Sequence, residues 1–139
     1  MREVLLHGGS DDAFDRSVTF ARRLAESFGA RLHVLYSVKD PLNAGWTSEM
    51  GAELMPGLHQ AVEAEARERL AQFIPPEEQE RLGVQIAIRT GSADEEMVRY
   101  IETHHIDLAI VQARPGDEDA TGLAQGILER SRCALLVLR

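Results

Sequence analysis

The sequence has very little lysine and cysteine. Lysine and arginine together number 15, but Lys39 is the only lysine. A Walker-type phosphate loop is therefore excluded, because that motif ends in Gly-Lys-Ser or Gly-Lys-Thr. Cys133 is the only cysteine, so no internal disulfide can form and a reduced setting is allowed. We expect a cytoplasmic protein.

Long apolar runs are also missing. The longest, Ala134 to Leu138, is far shorter than the roughly 20 residues of a membrane-spanning helix. No signal peptide is predicted, since Met1 to His7 is too short and enters a glycine turn at once. The formal net charge of −8 disfavours binding to nucleic acid and to anionic membranes. The length of 139 residues predicts one domain that covers residues 1–139.

The chain does contain an alternation of short apolar runs and amphipathic segments. Apolar runs of this kind are typical of parallel strands that are buried under helices. Right-handed crossovers then predict an α/β fold with three layers, a parallel sheet between two layers of helices. The predicted strands, with four helices between them, are 4–7, 32–38, 84–88, 107–111 and 133–139.

Three local features complete this interpretation. The stretch from Lys39 to Gly57 holds two prolines and three glycines, which predicts a long irregular connection. Ser92 with Glu95 three residues later fits a capping box at the start of a helix. Thr121 is interpreted as the cap of the last helix.

The segment from Gln112 to Gly122 is the candidate ligand-binding turn. It follows the fourth strand, so it opens at the carboxyl edge of the sheet, where open α/β sheets bind ligands. His7, Gly8 and Gly9 end the first strand and face the same edge.

Five pieces of the chain, in order, resemble the universal stress protein family. Together they cover nearly the whole sequence. They are Val4-Leu-Leu-His-Gly-Gly-Ser10, Ala30-Arg-Leu-His-Val-Leu-Tyr-Ser-Val38, Thr90-Gly-Ser-Ala93, Asp107-Leu-Ala-Ile-Val111 and Cys133-Ala-Leu-Leu-Val-Leu-Arg139.

The resemblance implies a Rossmann-like sheet of five parallel strands in the order 3-2-1-4-5, of the adenine nucleotide alpha hydrolase type. It also implies a homodimer joined along the last strand. One branch of the family binds ATP through Gly-x-x-Gly, nine residues, and then Gly-Ser or Gly-Thr. In that motif the glycines bring backbone N–H groups close to phosphates at a helix N-terminus.

This sequence departs from the ATP-binding pattern. Gln112 stands at the first glycine, and Pro115 or Gly116 stands at the second. Pro115 has no N–H to donate. Thr121-Gly122 replaces Gly-Ser, and Gly8 replaces the aspartate that the binding branch carries after its first strand.

We therefore interpret the chain as a non-catalytic stress-response protein with a degenerate nucleotide-binding loop, which acts as a homodimer by binding an unknown protein partner. One alternative is that ATP or AMP, with Mg, is still held in the cleft at the carboxyl edge. Another is an enzyme that hydrolyses ATP weakly or catalyses another small-molecule reaction in the same cleft. No catalytic residue and no metal site is predicted. The candidate nucleotide-binding residues are Gly8, Gly9, Ser10, Ser37, Val38, Gln112, Arg114, Gly116, Thr121, Gly122 and Leu123.

Overall fold

One sheet of five parallel strands forms the centre of the protein. The computed structural model describes residues 1–8, 12–38 and 48–139, with the backbone alone at 12–13 and 48–56. The strand order is 3-2-1-4-5 and every neighbouring pair is parallel, which confirms the prediction. The strands are β1 (Glu3–His7), β2 (Arg31–Val38), β3 (Gln85–Thr90), β4 (Leu108–Gln112) and β5 (Ala134–Leu138).

Helices cover both faces of this sheet. They are α1 (Asp12–Phe28), α2 (Ser48–Phe73), α3 (Pro76–Leu82), α4 (Ala93–His104) and α5 (Glu118–Arg130). None of them, as far as the structure describes the chain, is both long and apolar enough to span a membrane.

Two hydrophobic cores lie on the two faces, because neighbouring residues of a strand point to opposite sides. Val4 and Leu6 of β1 pack with α1 and α2, while Leu5 packs with α4 and α5. All three side chains are fully buried. The central strand is thus apolar on both faces, as the sequence predicted for a sheet with helices on both sides.

The prediction of an irregular connection from Lys39 to Gly57 is wrong from Ser48 onward. Helix α2 begins at Ser48, and residues 39–47 lie outside the described residues. The stretch from Ser48 to Met55 holds Glu, Met, Ala and Leu, which are strong helix formers. These residues outweigh the glycines and the proline that the prediction was based on.

Before β3 the structure adds one short helix to the four of the predicted alternation, and the start of β3 is shifted by one residue. A fifth helix, α3, is present, with Pro76 at its first position and Gly83 in the left-handed conformation at its end (φ 64°). The N–H of Val84 donates to the carbonyl of Gln79 at 2.8 Å, so Val84 belongs to the helix end and β3 starts one residue later. At its other end β3 continues to Thr90, which is in register with Val38.

The predicted capping box at Ser92 is wrong, although Ser92 is the N-cap residue of α4. Its side chain makes no capping hydrogen bond. The hydroxyl donates instead to Asp94 Oδ1 at 2.9 Å, and the same oxygen accepts from the N–H of Glu95. Asp94 Oδ1 accepts from the Glu95 N–H that the Ser92 side chain would accept from in a capping box, and the pattern of residue types alone does not reveal this competition.

Gly8 follows β1 and extends its pairing with β2 by one hydrogen bond. Its N–H donates to the carbonyl of Leu35 at 2.7 Å. A Cβ atom at position 8 would lie 2.6 Å from the ring of Tyr36. This ring packs edge-to-face on Phe14, with centroids 6.0 Å apart, so it is held in place from the other side. Any larger residue at position 8 would therefore clash with the Tyr36 ring unless that ring moved.

A polar network ties the amino ends of the strands together. The ring of His33 is 2% exposed; its Nε2 lies 2.7 Å from Glu3 Oε2 and its Nδ1 lies 2.7 Å from the hydroxyl of Tyr100. The Asp107 carboxylate accepts from the N–H groups of Arg2 and Glu3 at 2.8 and 2.9 Å, and these bonds lower the pKa of Asp107. Burial lowers the pKa of His33, against an opposing effect of Glu3, so His33 is neutral at pH 7.

We predict that Gly8→Ala destabilises the protein by about 1–3 kcal/mol, the usual cost of overpacking. In a Tyr36→Val background the same substitution should cost much less, because the obstructing ring is gone. Urea unfolding of the four proteins in a double-mutant cycle measures the coupling. Gly122→Ala is the matched control, since nothing lies within 4 Å of the added Cβ there. An equal cost of Gly8→Ala in both backgrounds would contradict the contact.

We predict a second effect from His33. Because burial holds its pKa below the value of about 6.5 in the unfolded chain, the unfolded chain binds more protons below that pH. The free energy of unfolding should therefore fall as the pH is lowered from about 7.5 to about 5.5. His33→Gln should show a smaller fall, by up to about 1.4 kcal/mol per pH unit. Urea unfolding at both pH values tests this, and an identical fall in the two proteins would rule the effect out.

Candidate functional site

A cleft of about 300 Å³ opens at the carboxyl edge of the sheet, between β1 and β4. The strand order reverses at this point, and such switch points are where open α/β sheets bind ligands. Residues from the ends of β1 and β4 and from the first two turns of α1, α4 and α5 line it. They are His7, Gly8, Phe14, Ser17, Ala93, Gln112, Arg114, Asp117, Asp119, Ala120 and Leu123.

The structure brings part of the predicted set together here. Gly8, Gln112, Arg114 and Leu123 line the cleft. Ser37 stands behind it, in contact with His7. Gly9 and Ser10 lie outside the described residues. The remaining candidates, which do not line the cleft, are Val38, Gly116, Thr121 and Gly122.

His7 forms a neutral polar wall of the cleft. Its Nε2 lies 3.2 Å from the hydroxyl of Ser37. Burial lowers the pKa of His7 to about 4, so the ring carries no charge at pH 7. One ring nitrogen is then a donor and the other an acceptor. His7 can orient a polar ligand, but it offers no positive charge to a phosphate.

Gln112 ends β4, Arg114 follows it, and both line the cleft. Pairing with β5 continues one residue beyond β4, since the N–H of Ala113 donates to the carbonyl of Leu138 at 2.8 Å. The Oε1 atom of Gln112 is buried and has no hydrogen-bond partner within the described part of the chain. Arg114 is exposed and supplies the one arginine of the lining.

The turn after Arg114 uses its own backbone donors. Gly116 has a positive φ of 84°, and the N–H of Asp117 donates to the carbonyl of Arg114 at 3.0 Å. Pro115 has no N–H. Two of the positions where a phosphate-binding loop would present amides are therefore closed.

Asp117, and not Thr121, caps α5, so that prediction is wrong. Asp117 Oδ1 accepts from the N–H of Ala120 at 3.1 Å. The hydroxyl of Thr121 lies within the helix and donates to the carbonyl of Asp117 at 2.8 Å. The helix begins earlier than predicted because aspartate is itself a strong N-cap and Glu118 and Asp119 suit the positive end of the helix dipole.

Negative charge therefore surrounds the N-terminus of α5. Asp117 and Asp119 line the cleft, and Glu118 lies between them in the first turn. Arg114 opposes these charges alone among the lining residues. A dianionic or more highly charged ligand meets net repulsion at this place.

Sequence reasoning missed the contribution of Phe14, Ser17 and Ala93 to the cleft. The sequence identified Phe14 only as a core residue of a helical face. These residues lie in the first two turns of helices that start at the carboxyl edge, and that position is the signal that could have indicated them. Ser17 is 1% exposed, and its hydroxyl donates to the carbonyl of Phe14 at 2.9 Å.

Among the described residues, no three His, Cys, Asp or Glu side chains come close enough together to hold a metal ion.

The fold is shared with solved universal stress proteins. UspA from Lactobacillus plantarum superposes with a TM-score of 0.75 at 21% sequence identity, over 99% of this chain and 97% of that one. A universal stress protein in complex with cAMP gives 0.65 at 15% identity, over 99% and 96% of the two chains. The universal stress protein from Archaeoglobus fulgidus in complex with dAMP gives 0.63 at 14%, over 100% and 98%.

The sequence comparisons identify a family but no individual relative. No curated protein sequence matches the chain. The model of the universal stress protein family, in contrast, matches residues 2–139. Together with the strand order and the cleft at the β1–β4 switch point, this match shows that the chain belongs to the universal stress protein family.

Proposed function

We propose that this protein is a non-catalytic member of its family that acts as a homodimer by binding a protein partner, and that its cleft does not hold a nucleoside triphosphate. One observation carries the proposal. The carboxylate of Asp117 already occupies the N-terminus of α5, where it accepts from the N–H of Ala120.

Helix N-termini bind phosphates because their free N–H groups and the helix dipole both favour negative charge. In this protein the chain supplies that negative charge itself. A phosphate at the same place would displace the Asp117 carboxylate from its hydrogen bond and would then stand beside it. Asp119, which also lines the cleft, adds to the repulsion.

The polar groups of the cleft also argue against catalysis. His7 is held neutral by burial, and its pKa of about 4 makes it a poor base at pH 7. The hydroxyl of Ser17 donates to a backbone carbonyl and has no base as a partner in the described part of the chain. An activated nucleophile requires such a base within hydrogen-bond distance.

The second candidate function is the binding of AMP, or of ATP with Mg, in the same cleft. Arg114 and the unpartnered Oε1 of Gln112 favour it, because they offer one cation and one buried acceptor. Two structural neighbours are complexes with cAMP and dAMP, which carry a single phosphate. One phosphate meets less repulsion from Asp117 and Asp119 than three do.

We propose that the dimer forms along β5. Among the residues that the structure describes, this strand pairs only with β4, so its other edge presents backbone groups that no described strand pairs with. Val137 on β5 is 39% exposed and Leu128 on α5 is 66% exposed. A second copy would cover both the edge and these apolar side chains.

Calorimetric titration with Mg-ATP tests the central part of the proposal. We expect no binding with a Kd below about 1 mM to the wild-type protein, and no phosphate release above that of the buffer alone.

Asp117→Ser keeps a capping oxygen but removes the charge, and it should strengthen ATP binding by about threefold to tenfold. Glu102→Gln, at an exposed position of α4, is the control for the change in net charge. Micromolar binding by the wild type would overturn the proposal; if AMP alone binds, the second candidate stands.

Sedimentation velocity tests the dimer. At tens of micromolar the wild type should sediment as a dimer, because an exposed strand edge with apolar side chains favours association. Val137→Arg should shift the protein to monomer. Phe28→Arg is the control, since Phe28 is also an exposed apolar residue, at 56%, but lies on α1. A wild-type monomer, or equal dissociation by both variants, would contradict the β5 interface.

A further inference from the structure

The free edge of β3 forms the floor of a second cleft, a groove of about 330 Å³. Residues 85–89 all line it, and neighbouring strand residues point to opposite faces, so the shared floor is the backbone edge itself. His59 and Glu63 on α2 form one wall, and Tyr100 and His104 on α4 form the other. This groove runs along an outer strand, whereas the first cleft lies between β1 and β4.

The hydrogen-bonding groups of Ile86 and Ile88 point into the groove. The N–H of Gly91 donates to the carbonyl of Val38 on β2, and N–H and C=O groups alternate in direction along a strand. Residues 85, 87 and 89 therefore face β2, and 86 and 88 face outward. As far as the structure is described, β3 pairs with β2 alone. The carbonyl of Ile88 accepts from Arg89 Nη1 at 3.1 Å.

Beside the α4 wall of the groove lies a cation, Arg89, that no carboxylate of the described residues neutralises. The guanidinium of Arg89 lies over the Tyr100 ring, 5.8 Å from its centroid, and forms no ion pair among the described residues. Tyr100 stacks on His104 with centroids 3.8 Å apart, so the aromatic platform under Arg89 is fixed. The α2 wall is different, because Glu63 there is paired with Arg67 at 2.8 Å.

The side chains on the two faces of β3 also differ in polarity. Ile86 packs against the core under α1 and α2, while Ala87 packs against the core under α4 and α5. By alternation Ile88 shares the side of Ile86, and Arg89 shares the side of Ala87. A strand laid beside β3 would meet the two isoleucines, with His59 and Glu63 on the wall beyond them, on the α2 side and a cation on the α4 side.

We propose that this groove binds an extended acidic segment of a partner protein, which adds to the sheet as a strand beside β3. The inference rests on the proposed function, in which the protein acts by binding a partner, and it names the surface and the chemistry of that partner. Backbone groups of the segment pair with those of Ile86 and Ile88. Its acidic side chains alternate with apolar ones and face Arg89, while the apolar ones face the two isoleucines.

The positive charge of Arg89 favours an acidic segment over other occupants of the groove. The chain as a whole has a net charge of −8, so an acidic segment is repelled by most of the surface and attracted by the unpaired Arg89. A second copy of β3 is disfavoured at the same edge, because it would bring another Arg89 into the pair. The β5 edge, with its exposed Val137, has no such cation on its strand.

The probe for the test is an acetylated and amidated peptide of alternating valine and glutamate, compared with a peptide of alternating valine and lysine. Amide NMR of the full chain should give a Kd on the order of 100 μM for the acidic peptide, as expected of a small transient interface. The lysine peptide should bind at least tenfold more weakly. When the free acidic peptide is at about ten times its Kd, hydrogen exchange of the Ile86 and Ile88 amides should slow by about tenfold. Exchange of the amides of residues 87 and 89 should not change.

Two pairs of variants test the groove. Arg89→Glu should weaken the acidic peptide at least tenfold, whereas Arg23→Glu, an equal change of charge on the exposed side of α1, should not. Ile88→Pro removes an outward N–H and should abolish binding, whereas Ile88→Ala keeps it. A strand at a sheet edge tolerates proline, and the thermal midpoint of each variant verifies that it is folded.

The inference is overturned if the two peptides bind equally, if Arg89→Glu and Arg23→Glu behave alike, or if the perturbed amides lie outside β3. Self-association of the chain through β3 would overturn it as well. The outcome is separate from that of the nucleotide titration. Binding of Mg-ATP would defeat the proposed function and leave the peptide result standing, whereas failure of the peptide would defeat only this inference.

Discussion

Burial of β1 on both of its faces is the constraint on which the rest of the structure depends. Val4, Leu5 and Leu6 are consecutive and fully buried, so one strand must find apolar partners above and below the sheet. Helices on both faces meet this requirement, and parallel neighbours on both edges follow from their crossovers. The strand order must then reverse beside β1, and this reversal opens the cleft at its carboxyl end.

The two ends of this sheet differ in how their polar groups are used. At the amino end, Asp107, Glu3, His33 and Tyr100 bond to one another or to the backbone, and the strands are tied together. At the carboxyl end the first turn of α5 faces an open cleft, and the Asp117 carboxylate accepts from a backbone N–H of that turn. The acidic side chains of Asp117 and Asp119 line part of this cleft.

Much of the fold could be predicted from the sequence, because short apolar runs between amphipathic segments report burial directly. The strand order came from the resemblance to the family and not from the residues alone. The start of α2 at Ser48 was missed, since glycine and proline weaken a helix without forbidding one. The site was predicted less well. Gly8, Gln112, Arg114 and Leu123 line the cleft, but the cap at Asp117 depends on which of several polar side chains reaches a free N–H. The contact of Tyr36 with Gly8 joins residues far apart in sequence, and no local pattern encodes it.

The most direct measurement of the central claim is the NMR signal of the Ala120 amide, which donates to the Asp117 carboxylate. Its chemical shift should stay unchanged at pH 7 when Mg-ATP is added to millimolar concentration. A saturable shift of the Ala120 amide on addition of Mg-ATP would show that a phosphate displaces Asp117, and would contradict the claim that the protein's own carboxylate closes the site.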